Sequence, residues 1–334
     1  MGARTDTASG TSHPAPSPSP SPSRPRAWAE LLRLPALFTV PGDALAGAAA
    51  TGVRPGPRTL LAIGSSLCLY EAGMALNDWA DRAEDARDRP HRPLPSGRVR
   101  PAAALAAACA LTGAGLALAA RAGRPALAVA APLATTVWAY DLVLKRTPAG
   151  PAAMAAARGL DLLLGAAATG GGTRSALPSA ALLGTHTLAV TTVSRRETQG
   201  GSPLVPLAAL TTSAVLTRLI TSSRPTASSR PAASSRPAAS GQPGGTGQPG
   251  ATGPAAVLRT ALGAAYAATV ARPYLHATLN PSPPLTQRAV GGGIRATIPL
   301  QAALAARSGA RVTALVVAAL APIGRKYARK VSVT

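Results

Sequence analysis

The sequence predicts an all-α, polytopic membrane bundle, and three observations carry that prediction. Apolar stretches recur along the chain, too long and too numerous for the core of a soluble domain. Hydrophobic residues make up 47% of the 334 positions and charged residues only 14%. Cations gather in the short stretches between the apolar segments, as in loops that anchor spans at a membrane surface. The formal net charge of +22 would suggest nucleic acid in a soluble protein. In a membrane protein it fits cytoplasmic loops, anionic lipid and a phosphorylated substrate, so no nucleic-acid partner is expected.

Residues 1–26 are rich in Ser, Pro and Thr, which cannot bury enough apolar surface to fold and predicts a disordered cytoplasmic tail. The tail lacks the apolar core and cleavage pattern of a signal peptide. Residues 27–334 form one membrane domain. Its first span opens at Leu31, with Arg33 at the interface and Pro35 near the start. Asp43 falls inside that span, either as a functional group or as a polar contact near the interface. The second span, 59–77, carries Glu71 one and a half turns before Asn77, where it would extend a polar wall. Spans three (102–120) and four (125–140) are dominated by small residues that permit close packing. The fifth, 151–169, holds Arg158 and Asp161, spaced i, i+3 for neutralisation across one turn. The pair either lines a polar cavity or fixes helix packing. The sixth, 176–193, contains His186, read as a packing or hydrogen-bonding residue, and the seventh is 203–220. Residues 222–254 repeat Ser-Ser-Arg-Pro and then Gly-Gln-Pro-Gly, a low-complexity linker in an outer loop. Span eight is 255–270. After a Pro-rich turn, Gly291-Gly292-Gly293 opens a stretch suited to close packing, and segment 312–323 precedes a basic end. Cys68 and Cys109 lack metal-like spacing and read as small buried residues.

Chemistry concentrates where span two ends. Asn77-Asp78-Trp79-Ala80-Asp81-Arg82-Ala83-Glu84-Asp85 leads into Arg89-Pro90-His91-Arg92-Pro93-Leu94-Pro95-Ser96-Gly97. On a continuous helix Asp78, Asp81 and Asp85 fall at i, i+3 and i+7, with Asn77 one turn before Asp81, so all four share a face. Like charges on one stripe repel unless a cation sits between them, and hard carboxylate oxygens favour Mg²⁺. The neighbouring arginines, Arg89 and Arg92, suit phosphate oxygens, which guanidinium binds in bidentate fashion. Together these groups describe a diphosphate site.

The same residues resemble a known family. Asn-Asp-x-x-Asp-x-x-x-Asp followed by Arg-Pro-x-Arg-Pro-Leu-Pro-Ser-Gly is similar to the first aspartate motif of the UbiA superfamily of intramembrane prenyltransferases. The resemblance implies a bundle of about nine transmembrane helices and Mg²⁺ held by Asp78, Asp81 and Asp85, which would be catalytic, with Asn77 beside them. It implies a prenyl diphosphate donor whose phosphate oxygens meet Asn77, Arg89 and Arg92. Tyr140 and Lys145 match the places of a Tyr and a Lys that help hold the diphosphate in that family, while Lys145 and Arg146 also read as positive-inside anchors. After span six the family carries a second Asp-rich motif for another Mg²⁺. This chain instead reads Ser194-Arg195-Arg196-Glu197-Thr198-Gln199-Gly200-Gly201. With Arg158-Gly159-Leu160 and the terminal Arg-Lys-Val-Ser-x-Thr, that pattern looks like the EboC-type branch. Arg195 and Arg196 would then replace the second Mg²⁺ as phosphate neutralisers, and Glu197 is the remaining carboxylate for turnover.

Loop cations orient the bundle. Ten (Arg82, Arg87, Arg89, Arg92, Arg98, Arg100, Lys145, Arg146, Arg195 and Arg196) share the aspartate side, against five (Arg54, Arg58, Arg121, Arg124 and Arg174) on the other. The excess puts the active-site loops in the cytoplasm. The basic C-terminus also belongs there, which demands an even number of crossings, whereas nine leaves it outside. The resulting expectation is a cell-membrane, Mg²⁺-dependent prenyltransferase acting on an unidentified aromatic or hydroxyl acceptor. Its rival is a degenerate relative that binds or moves a prenylated lipid or pathway intermediate. The CDP-alcohol phosphotransferase pattern, Asp-Gly-x-x-Ala-Arg, is not found around Asp81.

Overall fold

Prolines begin many helices of this chain, because a first-turn N–H has no helical acceptor to lose and the ring presets φ. In the computed structural model, which describes residues 24–170, 172–197, 201–222 and 253–331, the elements are helical throughout. They are α1 (Arg24–Leu31), α2 (Pro41–Ala50), α3 (Pro57–Ala80), α4 (Arg82–Asp88), α5 (Pro101–Ala122), α6 (Arg124–Leu142), α7 (Gly150–Ala168), α8 (Thr173–Ser194), α9 (Leu204–Thr221), α10 (Pro254–Leu279), α11 (Pro283–Arg307) and α12 (Arg311–Val331). Two 3-10 turns, Leu34–Thr39 and Leu144–Arg146, complete the set. Proline sits in the first turn of α2, α3, α5, α6, α7, α10 and α11. Gly52 and Gly309, at φ 74° and 83°, come just after the ends of α2 and α11, where only glycine takes the left-handed turn without strain.

The expected tail and the 222–254 linker lie almost wholly outside the described residues, and α1 begins at Arg24, three residues inside the expected tail. Among the described residues nine helices, α3 and α5 to α12, reach 18 residues or more. Four of them, α3, α5, α8 and α9, are long and apolar enough to cross a membrane by length and composition. Length alone does not make each of the others a crossing. The first expected span is broken: α1, a 3-10 turn and α2 replace one continuous helix, with Arg33 at φ 49° between them. Segments 290–308 and 312–323 fall on two separate helices, α11 and α12.

Successive long helices pack as neighbours from α5 to α12, while α3 pairs with α5 and α6. Helix α11 runs through the middle, against α2, α8, α9, α10 and α12, and its Leu300, Gln301 and Leu304 are fully buried. Helix α2 crosses α7 backbone to backbone. A Cβ on Gly165 would land on the backbone of Ala44, and one on Gly47 on that of Leu162, so only glycine permits this approach. The expected role of the 291–293 glycines is similar: Gly292 lies against Pro273, and Gly293 against Val190 and Tyr274. His186 is a packing residue, with Nδ1 3.0 Å from the Tyr266 hydroxyl and Nε2 3.1 Å from the Gly293 carbonyl. Cys109 is exposed and Cys68 half-buried, which corrects the expectation that both are buried. An apolar helix of a membrane bundle has an outward face, and a cysteine is tolerated there.

Candidate active site

The site starts at the last turn of α3. The helix does not continue as the single-face reading requires. Asp81 takes φ −90° and ψ 3°, its N–H still bonded to the Asn77 carbonyl at 3.0 Å, and α4 starts afresh at Arg82. The break divides the carboxylates into two groups. Asp78 and Asp85 share Arg92, whose Nη1 lies 3.7 Å from Asp78 Oδ1 and 2.8 Å from Asp85 Oδ2. Arg33 adds Nη2 at 3.2 Å from Asp78, and Arg89 adds Nη1 at 3.6 Å from Asp85. Asp81 instead meets Lys145 Nζ at 2.8 Å and Arg146 Nη2 at 3.2 Å. The one-face expectation is thereby corrected, and the reason is local: the helix end at Asp81 resets the register of α4.

Asn77 points elsewhere, donating from Nδ2 to Asp141 Oδ1 at 2.9 Å. Tyr140 lines the cavity below. Arg195 donates to the Thr147 carbonyl at 2.5 Å, so it braces the loop that carries Lys145 and Arg146. Arg196 is exposed and Glu197 half-buried, and neither has an ion pair or hydrogen bond to the aspartates among the described residues. Residues 198–200 of that loop lie outside the described residues. Trp79 stacks under Arg82 with 4.5 Å to the ring centroid. Trp138 donates to Thr112 at 3.0 Å. Among the described residues no three His, Cys, Asp or Glu side chains converge on one point, since each aspartate here is separated from the next by a cation.

Beneath this charged rim lies a cavity of about 350 Å³ between α3, α6 and α7. Its upper edge is Arg33, Asn77, Tyr140 and Asp141, and its walls are apolar, with Leu69, Leu133 and Val137 among them. Ser66, Arg158 and Asp161 form the floor, about 16 Å below Asn77 at the helical rise of 1.5 Å per residue. The floor belongs to a polar network in which the buried Gln301 Oε1 has no hydrogen-bond partner among the described residues. Arg158 Nη1 lies 3.1 Å from Asp43 Oδ2, and Gln301 donates to Asp43 Oδ1 at 2.6 Å and to the Thr39 carbonyl at 2.7 Å. Ser66 donates to Asp161 Oδ1. Arg158 therefore pairs with α2 and makes no direct ion pair with Asp161 among the described residues, which corrects the expected i, i+3 neutralisation. Both residues do line the cavity, as one of the two readings had it.

Glu71 is buried at 7% exposure with neither carboxyl oxygen bonded among the described residues, and the cavity lining includes Tyr70 and Met74 but not Glu71. It does not extend the polar wall. Three residues of the site escape a reading of the sequence. Arg33 reads only as an interfacial cation, Asp141 takes no assigned role, and Gln301 has no local signal. Arg33 and Gln301 reach their partners across 45 and 258 positions, a separation no local pattern encodes. For Asp141 the one local signal is its place as a carboxylate next to Tyr140.

The chain is similar in sequence and in fold to several known proteins. The chain is 36% identical over 128 residues to digeranylgeranylglyceryl phosphate synthase of Methanopyrus kandleri, covering 37% of this chain and 45% of that protein. It is 35% identical over 150 residues to the enzyme of the same name from Natronomonas pharaonis, covering 44% and 54%. The chain thus spans about half the length of the curated relatives it matches. In fold it is similar to a UbiA homologue from Archaeoglobus fulgidus bound to GPP and Mg²⁺, with TM-score 0.55, 16% identity, and coverage of 88% of this chain and 99% of that one. The family model described as UbiA prenyltransferase family matches residues 36–222. That match takes in Asp43, Arg158, the three motif aspartates and more than half the sequence, and this chain therefore belongs to the UbiA prenyltransferase family.

Proposed function

We propose that this multi-pass membrane protein transfers a prenyl group from a prenyl diphosphate to a hydroxyl or aromatic carbon of an acceptor. The observation that carries this reading is the rim: two nearly buried carboxylates, with side-chain exposures of 6% and 5%, share one arginine above a cavity with apolar walls. The donor set suits Mg²⁺. Asp78 and Asp85 direct anionic oxygens at a single cationic nitrogen, and a hard divalent cation takes oxygen ligands arranged that way. Asp81, now paired with Lys145, would be the third carboxylate to hold it. When bound, Mg²⁺ supplies positive charge against the leaving diphosphate. The Archaeoglobus homologue with GPP and Mg²⁺ supports the choice of donor and metal.

The remaining roles belong to the chain's own side chains. Arg33, Arg89, Arg92 and Lys145 neutralise the phosphate oxygens, and they are already concentrated where charge develops as the C–O bond breaks. Tyr140 and Asn77 donate from the cavity edge. Leu69, Leu133 and Val137 exclude water that would capture the allylic cation. Arg195 acts through the Thr147 loop, Arg196 meets phosphate from solvent, and Glu197 serves turnover. The rim faces the cytoplasm, as the loop cations argue.

The test uses purified protein in detergent with geranylgeranyl diphosphate. The ligand should raise the unfolding temperature only when Mg²⁺ is present, and Asp78→Ala should abolish the shift. Membranes given radiolabelled donor and a lipid extract should release diphosphate and form a prenylated product. Equal stabilisation in EDTA would remove the metal from the reading. Tight binding without release, for every donor length, would replace transfer with lipid binding or transport.

A further inference from the structure

Arginines of α10 and α11 gather on an exposed face of the bundle with no carboxylate beside them. No Asp or Glu follows Glu197 in the sequence, so the cations of these two helices find no acidic side chain in their own part of the chain. Arg272 and His276 of α10 line a cavity of about 300 Å³ together with Leu285, Arg288 and Arg295 of α11. All four basic residues are exposed. None of them has a hydrogen bond or ion pair among the described residues.

The turn between α10 and α11 lies on the aspartate side of the bundle. Gly201, in the loop after α8, donates to the Pro281 carbonyl at 2.9 Å, and Arg195 of the same loop braces the loop of Lys145. Arg295 is no anchor at a helix end. It stands twelve residues into α11, about 18 Å along the axis at 1.5 Å per residue, where an exposed charge on a membrane bundle needs a partner. Side chains of a helix lean toward its N-terminus, and Arg295 does so. A Cβ on Gly291 would come within 3.3 Å of its Nη1, so the guanidinium folds back one turn toward Arg288. Cations drawn together without a carboxylate repel unless an anion sits among them. Arg272, Leu275, His276 and Leu279, at i, i+3, i+4 and i+7, share one face of α10. Leu275, Leu279 and, next to Arg295, Ile294 are exposed. A face that mixes cations with large apolar side chains suits a membrane lipid better than a dissolved phosphate or an acidic protein.

We propose that the outward face of α10 and α11 binds one anionic phospholipid from the leaflet on the aspartate side. Its phosphate lies against Arg272, Arg288 and Arg295, and its hydrocarbon runs past Leu275 and Ile294. Guanidinium donors take phosphate oxygens in pairs, and a His276 ring N–H adds a further donor. The headgroup supplies the counter-charge that this part of the chain lacks. The site is independent of the chemistry at the aspartate rim.

The experiment uses delipidated full-length protein in detergent, with native mass spectrometry to count retained lipid and thermal unfolding to report stabilisation. The probes are phosphatidylglycerol, phosphatidylcholine with the same chains, and glycerol 3-phosphate. Phosphatidylglycerol should be retained at one molecule per chain and should raise the unfolding temperature. Phosphatidylcholine, with no net charge, and glycerol 3-phosphate, with no chains, should do neither. Arg288→Gln and Arg295→Gln should each weaken retention about tenfold, as loss of a charge-assisted contact implies. Arg311→Gln removes an exposed cation at the start of α12, outside this cavity, and should leave retention unchanged. Circular dichroism and monodisperse elution identify folded variants. Equal retention of phosphatidylcholine would overturn the proposal, as would equal stabilisation by glycerol 3-phosphate. So would wild-type retention by folded Arg288→Gln and Arg295→Gln, or an equal loss in Arg311→Gln.

Discussion

Arg158 shows how a charge survives inside an apolar bundle. Its guanidinium meets the fully buried Asp43, and Gln301 and the Thr39 carbonyl join the same network. A buried ion pair contributes little net stability, yet breaking it strands the other charge. Arg158→Met should therefore destabilise the protein by about 3–5 kcal/mol, the usual cost of an uncompensated buried charge. Asp43→Asn combined with Arg158→Met should recover much of that loss, because both charges leave together. Thermal unfolding in one detergent compares the two. If the single variant melts no lower than the double, the network does not carry charge compensation.

At the scale of the element, one helix break and one helix crossing make the site possible. The break between α3 and α4 at Asp81 turns one stripe of carboxylates into two groups with separate cationic partners. The α2–α7 crossing brings Asp43 within reach of Arg158 because Gly165 and Gly47 let the backbones touch. Gly165→Ala should cost about 1–3 kcal/mol or more, as overpacking does where the obstacle is backbone. Gly159→Ala on the same helix should be mild, since its nearest neighbour, the Ala180 carbonyl, would lie at 3.5 Å, an ordinary contact. Unfolding temperatures of the two variants check this, and equal melting would show that the crossing is not tight. Helix starts are legible in the sequence because proline marks them. The kink at Asp81 is not, since an Asp-rich run reads equally well as a continuing helix.

For the whole molecule, the asymmetry of loop cations orders the two faces. Ala86, exposed on α4, and Gly253, exposed at the start of α10, are positions from which each face can be probed. In a variant with Cys68 and Cys109 replaced by alanine, Gly253→Cys should react with an impermeant maleimide in intact cells. Ala86→Cys should react only after permeabilisation. The reverse pattern would overturn the cytoplasmic placement of the rim. Family, helical class and the principal aspartates are legible because a bilayer demands long apolar segments and because the first motif is compact in sequence.

The sequence by itself determined the membrane class, the helix starts and the identity of the residues in the aspartate motif, since each of these depends on composition or on neighbours within a few turns. Only the tertiary structure decided which charge meets which. Arg33 pairs with Asp78, Asp43 with Arg158, and Gln301 closes the floor from the far end of the chain. The physical reason is that an apolar interior leaves a charged group no solvent, so it takes whatever partner the packing of distant helices brings within reach.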